Sequence, residues 1–197
     1  MAAPAKPTRK PTLTSFLWFA DNLEDAAKFY TKVFPGSKTG NVARYGDAGP
    51  GTKGTVMSMD FEIAGHRFAG VNGGPIFQFN ESVSFVIDCK DQAEVDYYWN
   101  ALAGNGGTES QCGWLKDKFG LSWQVVPVEL TAALTDKDPK RATRAMQAML
   151  TMRKIDVKAI QDAADGKKPA LVAAGARESK RVRADTEAAT VQSRKKR

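Results

Sequence analysis

Few residues in this chain are of types that do chemistry. His66 is its one histidine. An unperturbed imidazole titrates near neutral pH, which suits proton transfer or metal ligation. His66 follows the turn Ala64-Gly65, and Asp60 and Glu62 on the preceding segment can pair with it across that hairpin. The plainer alternative is a hairpin-end histidine with no chemical role. Cys89 and Cys112 form neither a CxxC pair nor a disulfide framework. Both read as small buried residues. A reactive thiolate needs a helix N-terminus or a cation beside it, and only Cys89, next to Lys90 and a helix start at Asp91, has either. Metal chemistry needs several converging N, O or S donors. One histidine excludes a multi-His centre within one chain.

A second kind of chemistry is electrostatic. The 197 residues include 29 Lys or Arg and 22 Asp or Glu, a net charge of +7. That excess sits at one end. Residues 166–197 carry ten basic side chains against Glu178, Asp185 and Glu187, while 13–165 is slightly acidic. Lys167, Lys168, Lys180, Arg181, Arg183, Arg194, Lys195, Lys196 and Arg197 are therefore the candidates for contact with nucleic acid or another polyanion. Dispersed cations neutralise phosphates without reading sequence. No aromatic residue interleaves with them to stack on bases. A solubilising terminus or an acidic protein partner are the alternatives. With so little apolar surface, 166–197 is expected to be a disordered basic tail.

The elements that must position these groups follow from periodicity. Ten Phe and four Trp in a 42% hydrophobic chain suffice for a core. No apolar run approaches a membrane span, and the Pro-containing arm at 1–12 lacks a signal peptide's apolar region. The expected setting is reducing and cytoplasmic. Residues 13–19 form an apolar strand, followed by a helix with Leu23, Ala26, Ala27, Tyr30, Val33 and Phe34 on one stripe. Pro35-Gly36 ends it. Strands at 37–45, 55–63 and 66–72 complete a βαβββ unit over 13–72. The order then repeats over 82–127: a strand at 83–89, a helix opened by Asp91, and strands at 108–111, 112–116 and 121–127. Residues 128–165 change to a helical period, with Asp138-Pro139 and Asp156 as N-terminal signals.

Several strings carry a family resemblance. They are Phe16-Leu17-Trp18-Phe19 before a helix containing Phe29-Tyr30, Asn72-Gly73-Gly74-Pro75, and Phe79-Asn80-Glu81-Ser82-Val83-Ser84-Phe85. Cys112-Gly113-Trp114-Leu115-Lys116-Asp117 and Phe119-Gly120-Leu121-Ser122-Trp123-Gln124-Val125-Val126-Pro127 follow. With the paired βαβββ order, they resemble the PhnB-like branch of the vicinal-oxygen-chelate superfamily, often labelled 3-demethylubiquinone-9 3-methyltransferase domain. The stretch with Ala148-Met149-Leu150 and Lys154-Ile155-Asp156 looks like that family's C-terminal extension. The resemblance implies an α+β fold of tandem βαβββ modules forming a curved-sheet cavity, with a C-terminal helical extension, a small organic ligand and a homodimer.

Enzymes of this superfamily hold a divalent metal through His and Glu on inner strands, as a Lewis acid on adjacent oxygens. By resemblance, the two His positions fall on Ser15 and Ser82, and one Glu position falls on Gln124. The other Glu position falls near Phe68 or Ala69. Hydroxyls and an amide thus stand where imidazole and carboxylate would, and no metal and no cofactor are expected. Alternation groups Ser15, Leu17 and Phe19 on one face and Ser122, Gln124 and Val126 on another. The ligand-binding candidates are Ser15, Phe19, Phe68, Ser82, Cys112, Trp114 and Gln124, lining a polar, uncharged pocket. The methyltransferase label lacks its usual support. The Gly-rich loop after the first strand that a doubly wound cofactor site uses is replaced here by Ala20-Asp21-Asn22. The leading expectation is a metal-independent small-molecule-binding protein of unassigned activity. A metal-dependent glyoxalase- or dioxygenase-like enzyme and a polyanion-associated protein are the alternatives.

Overall fold

A computed structural model describes residues 12–104 and 106–167. The expectations for the arm and for the basic tail beyond Lys167 lie outside these residues. The first module runs β1 (Ser15–Phe19), α1 (Leu23–Val33), β2 (Lys38–Arg44), β3 (Val56–Ile63) and β4 (His66–Asn72). The second runs β5 (Phe85–Cys89), α2 (Gln92–Ala103), β6 (Thr108–Glu109), β7 (Trp114–Lys116) and β8 (Ser122–Pro127). Their sheets have the equivalent orders β1-β4-β3-β2 and β5-β8-β7-β6. In each, the outer first strand pairs parallel with the last, and the other pairs are antiparallel. The fold is α+β, as tandem βαβββ modules require.

Helix α1 forms because its apolar residues share one face, and Leu23, Ala26, Ala27, Tyr30 and Val33 are all buried. Its first turn is held by a distant group: the Leu23 N–H donates to Asn72 Oδ1 at 3.0 Å. Asp91 caps α2 locally, accepting from the Glu94 N–H at 2.9 Å. Leu17, Phe19, Met59, Phe61 and Phe68 of the first sheet join α1 in the core. The same helix packs on the second module. Phe34 stacks on Trp123 and Tyr98 with ring centroids 5.1 and 5.2 Å apart. One apolar core thus joins both modules by their helix-bearing sides and leaves the other face of the first sheet open.

Helices α3 (Val128–Leu134), α4 (Pro139–Met149) and α5 (Val157–Ala164) build a second core from Leu130, Ala145, Ile155, Ile160 and Ala164, with Val126 packed against it. Main-chain bonds dock it: the Cys112 N–H donates to Met152 O at 2.8 Å and the Gly113 N–H to Arg153 O at 2.7 Å. Gly113 has φ 84°, and a Cβ there would lie 2.8 Å from Val125 O. Cys112 is also left-handed, at φ 59°. These two residues form a turn, so the expected strand at 112–116 shortens to β7. The strand expected at 108–111 has two residues, and the one expected at 83–89 begins at Phe85.

Candidate functional site

Register fixes which side chains share the open face of the first sheet. Phe16, Ala69 and Asp60 lie abreast on β1, β4 and β3, and Trp18, Val71 and Ser58 form the next row. One step the other way, Arg67 faces Glu62, and Glu62 faces Lys38. Burial follows: Phe16 is 64% exposed, against 6% for Leu17 beside it.

Two cavities open on this face. One of about 330 Å3 is lined by Phe16, Lys38, Gly40, Asp60, Glu62 and Arg67. The other, about 660 Å3, lies by the Gly-rich β2–β3 loop and is lined by Trp18, Tyr45, Met57, Val71, Asn72 and Gly73. These sizes suit small organic molecules. The Tyr45 hydroxyl donates to Asn72 O at 2.7 Å and Trp18 Nε1 donates to Gly74 O at 2.9 Å, so both aromatic walls are fixed. The absence of a side chain at Gly73 admits the indole, since a Cβ there would lie 2.1 Å from a Trp18 ring carbon. On the second sheet, Gln124 lies between Val86 and Trp114, and its Nε2 donates to Ser84 Oγ at 2.9 Å.

The seven expected ligand contacts separate. Ser15, Phe19 and Phe68 lie on the helix-bearing side of the first sheet, with Phe19 and Phe68 buried. Ser15 Oγ and His66 Nε2 are 2.9 Å apart, and the His66 ring meets the Phe68 ring edge-on at 4.7 Å. Asp60 and Glu62 stand on the opposite face, so neither pairs with His66. Ser82 lies in the loop before β5 and bonds Asn80. Cys112 holds the helical extension. Trp114 and Gln124 share one face. Ser15, Ser82 and Gln124 each bond a different partner: His66, Asn80 and Ser84. Two hydroxyls and an amide lack the carboxylate that usually anchors a divalent ion. Among the described residues no group of three or more His, Cys, Asp or Glu is placed to hold a metal. Burial, and then the nearby carboxylates, push the Cys89 thiol up to about 12, so it stays protonated and unreactive.

Two features escaped the sequence. The first is the charged row Lys38, Glu62 and Arg67 with Asp60 beside it, which makes this face ionic. The second is Asp117, between β7 and β8 and only 3% exposed. Its Oδ2 accepts from the Tyr30 hydroxyl at 2.9 Å and Trp123 Nε1 at 2.8 Å. Its Oδ1 accepts from the N–H groups of Phe119 at 2.8 Å and Leu121 at 3.1 Å. Burial raises its pKa despite these four donors. It ties α1 of the first module to the second sheet.

Paired βαβββ modules with this strand order define the vicinal-oxygen-chelate superfamily. The family model described as 3-demethylubiquinone-9 3-methyltransferase matches residues 11–126, and the chain belongs to that family. The PhnB protein from Bacillus cereus is 31% identical, with 60% of this chain and 100% of that chain covered at a TM-score of 0.55. A Pseudomonas aeruginosa protein is 20% identical, with 59% and 98% covered and a TM-score of 0.47. A fosfomycin resistance protein from Listeria monocytogenes, solved with Mn(II) and sulfate, is 14% identical, with 61% and 94% covered and a TM-score of 0.42. No curated protein matches the chain. The family match ends at residue 126, so α3, α4 and α5 lie beyond it.

Proposed function

We propose that this protein binds a small organic molecule on its open sheet faces without a metal. The observation that carries the reading is that Ser15, Ser82 and Gln124 are each engaged in a hydrogen bond to a different neighbour, while the first sheet carries cavities of about 330 and 660 Å3, the larger with fixed aromatic walls. The open faces supply shape, aromatic surface from Trp18 and Trp114, and polar groups such as Gln124. Cys112, Ser15 and Ser82 act at one remove, through the segments they hold. Methyl transfer is not part of the proposal, because the family's description does not carry activity to this fold. Elemental analysis of purified protein tests the metal-free reading: no stoichiometric transition metal is expected. One tightly held ion per chain, lost in Gln124→Ala, would overturn it.

The same reading includes a homodimer. Ile76, Phe77, Val83 and Val86 are exposed large apolar side chains, and a second copy would cover them. A cytoplasmic setting fits the two free cysteines. Among the described residues no helix is long and apolar enough to cross a membrane.

A second activity, weak polyanion binding through the tail, is favoured by where the charge of +7 resides. Of its candidates, Lys167 is described, and it pairs with Asp162 and Asp165 at 3.0 and 3.2 Å. Lys168, Lys180, Arg181, Arg183 and the Arg194 to Arg197 cluster lie outside the described residues and carry this proposal. Salt-dependent DNA binding lost on truncation after Asp165 tests it.

A further inference from the structure

We propose that the smaller cavity on the first sheet is a site for a small zwitterion, a molecule carrying one ammonium and one carboxylate on a short apolar body. This rests on the reading of the open faces as ligand-binding, and it names the ligand class that one of them takes.

The argument starts from charge. Arg67, Glu62 and Lys38 form one row across β4, β3 and β2, and Asp60 stands one row on, diagonal to Arg67. All four line the cavity of about 330 Å3. Two cations and two carboxylates alternate across it and leave it neutral overall. A lone anion would meet Arg67 and Lys38 but also two carboxylates, and a lone cation would meet the converse. A ligand with both charges can meet one group of each sign.

Pairing among these groups then selects the two that remain. Glu62 Oε2 is paired with Lys38 Nζ at 3.5 Å. Among the described residues Asp60 and Arg67 make neither an ion pair nor a side-chain hydrogen bond. Diagonal neighbours on adjacent strands stand about 7 to 8 Å apart. A ligand of α-amino-acid size spans that gap, its carboxylate on the guanidinium fork and its ammonium on Asp60. The floor suits such a body. Ala69 separates Phe16 from Asp60 in the same row. Gly40 passes so close that a Cβ would lie 3.0 Å from Asp60 Cβ. Small residues therefore leave the room above Asp60 open, and the Phe16 ring, 64% exposed, offers the apolar wall.

The test uses three probes of nearly equal size: L-phenylalanine, 3-phenylpropionate, which lacks the ammonium, and 2-phenylethylamine, which lacks the carboxylate. Binding to the full chain is followed by amide shifts of Phe16, Asp60, Arg67 and Ala69 in a nitrogen-15 correlation spectrum. L-Phenylalanine is expected to move these four amides and to bind at least tenfold tighter than either analogue. Asp60→Asn is expected to bring L-phenylalanine down to the affinity of 3-phenylpropionate, and Arg67→Gln to that of 2-phenylethylamine. The spectra of both variants report whether they remain folded. Equal binding of all three probes, or an L-phenylalanine affinity unchanged in Asp60→Asn, would overturn the zwitterion assignment while leaving the binding face intact. Shifts confined to residues away from the sheet would overturn the assignment and count against the ligand-binding face as well.

Discussion

Truncating Asp117 to alanine should separate the two modules energetically. Three of its four donors, the Tyr30 hydroxyl, Trp123 Nε1 and the Leu121 N–H, bond it in buried positions. An orphaned buried donor costs about 1 to 2 kcal/mol, so Asp117→Ala should destabilise by about 3 to 6 kcal/mol. Tyr30→Phe removes one donor and should cost about 1 to 2 kcal/mol. The two changes should couple by about 1 kcal/mol, because each removes the same bond. Urea melts followed by tryptophan emission measure all three variants of the cycle. pH adds an independent check. Burial raises the native pKa of Asp117, so the native state holds this proton more tightly than the unfolded chain. Its stabilising contribution is full below the ordinary carboxylate pKa and is lost as pH rises through the raised native value. The stability of the wild type relative to Asp117→Asn should therefore fall across that window as pH increases. A cost for Asp117→Ala below about 1 kcal/mol, or additive effects with Tyr30→Phe, would refute the view that this carboxylate joins the modules.

Ile155 lies fully buried in the second core, so Ile155→Ala should cost about 2 to 5 kcal/mol in a denaturant melt; a cost near zero would mean that the extension is not docked as described. Truncation after Asp165 removes from the described structure the exposed ion pairs of Lys167 and two main-chain bonds at the end of α5 but no core side chain, so the melting temperature should nearly hold while DNA affinity at low salt is lost. Affinity that survives truncation would place polyanion binding elsewhere. Light scattering at micromolar concentration should give the mass of a dimer, and Ile76→Asp should shift it toward the monomer; an unaltered dimer would mean that this apolar patch is not the contact.

Local patterns made most of the elements legible. The α1 stripe and the cap signals at Asp91, Asp138 and Asp156 all stand where helical spacing and N-cap chemistry put them. Alternation likewise separated Leu17 and Phe19 from Phe16 and Trp18. Which pair faces the helix was illegible, because both faces of β1 carry aromatic residues and either could be core. That choice decided whether Ser15 or Phe16 lines the open face. Asn72 as the partner of the Leu23 N–H lies 49 residues away, beyond any local signal. Asp117 stands between two lysines in the sequence, Lys116 and Lys118, with nothing local to signal burial, and the packing of Tyr30 and Trp123 around it buries it. The left-handed pair Cys112-Gly113 broke an apparent strand because its main chain serves the extension instead.

Metal-free binding on the open faces is tested most directly at the indole N–H groups. Trp18 belongs to the open face of the first sheet and Trp114 is half-buried beside Gln124 on the second, whereas Trp99 and Trp123 are buried in the core. A small-molecule library, screened by NMR against the full chain in excess EDTA, should yield binders that shift the Trp18 or Trp114 indole resonance and leave those of Trp99 and Trp123 in place. The same binders should gain nothing from added Mn2+ or Zn2+. Binders that appear only when a divalent metal is supplied would contradict the account.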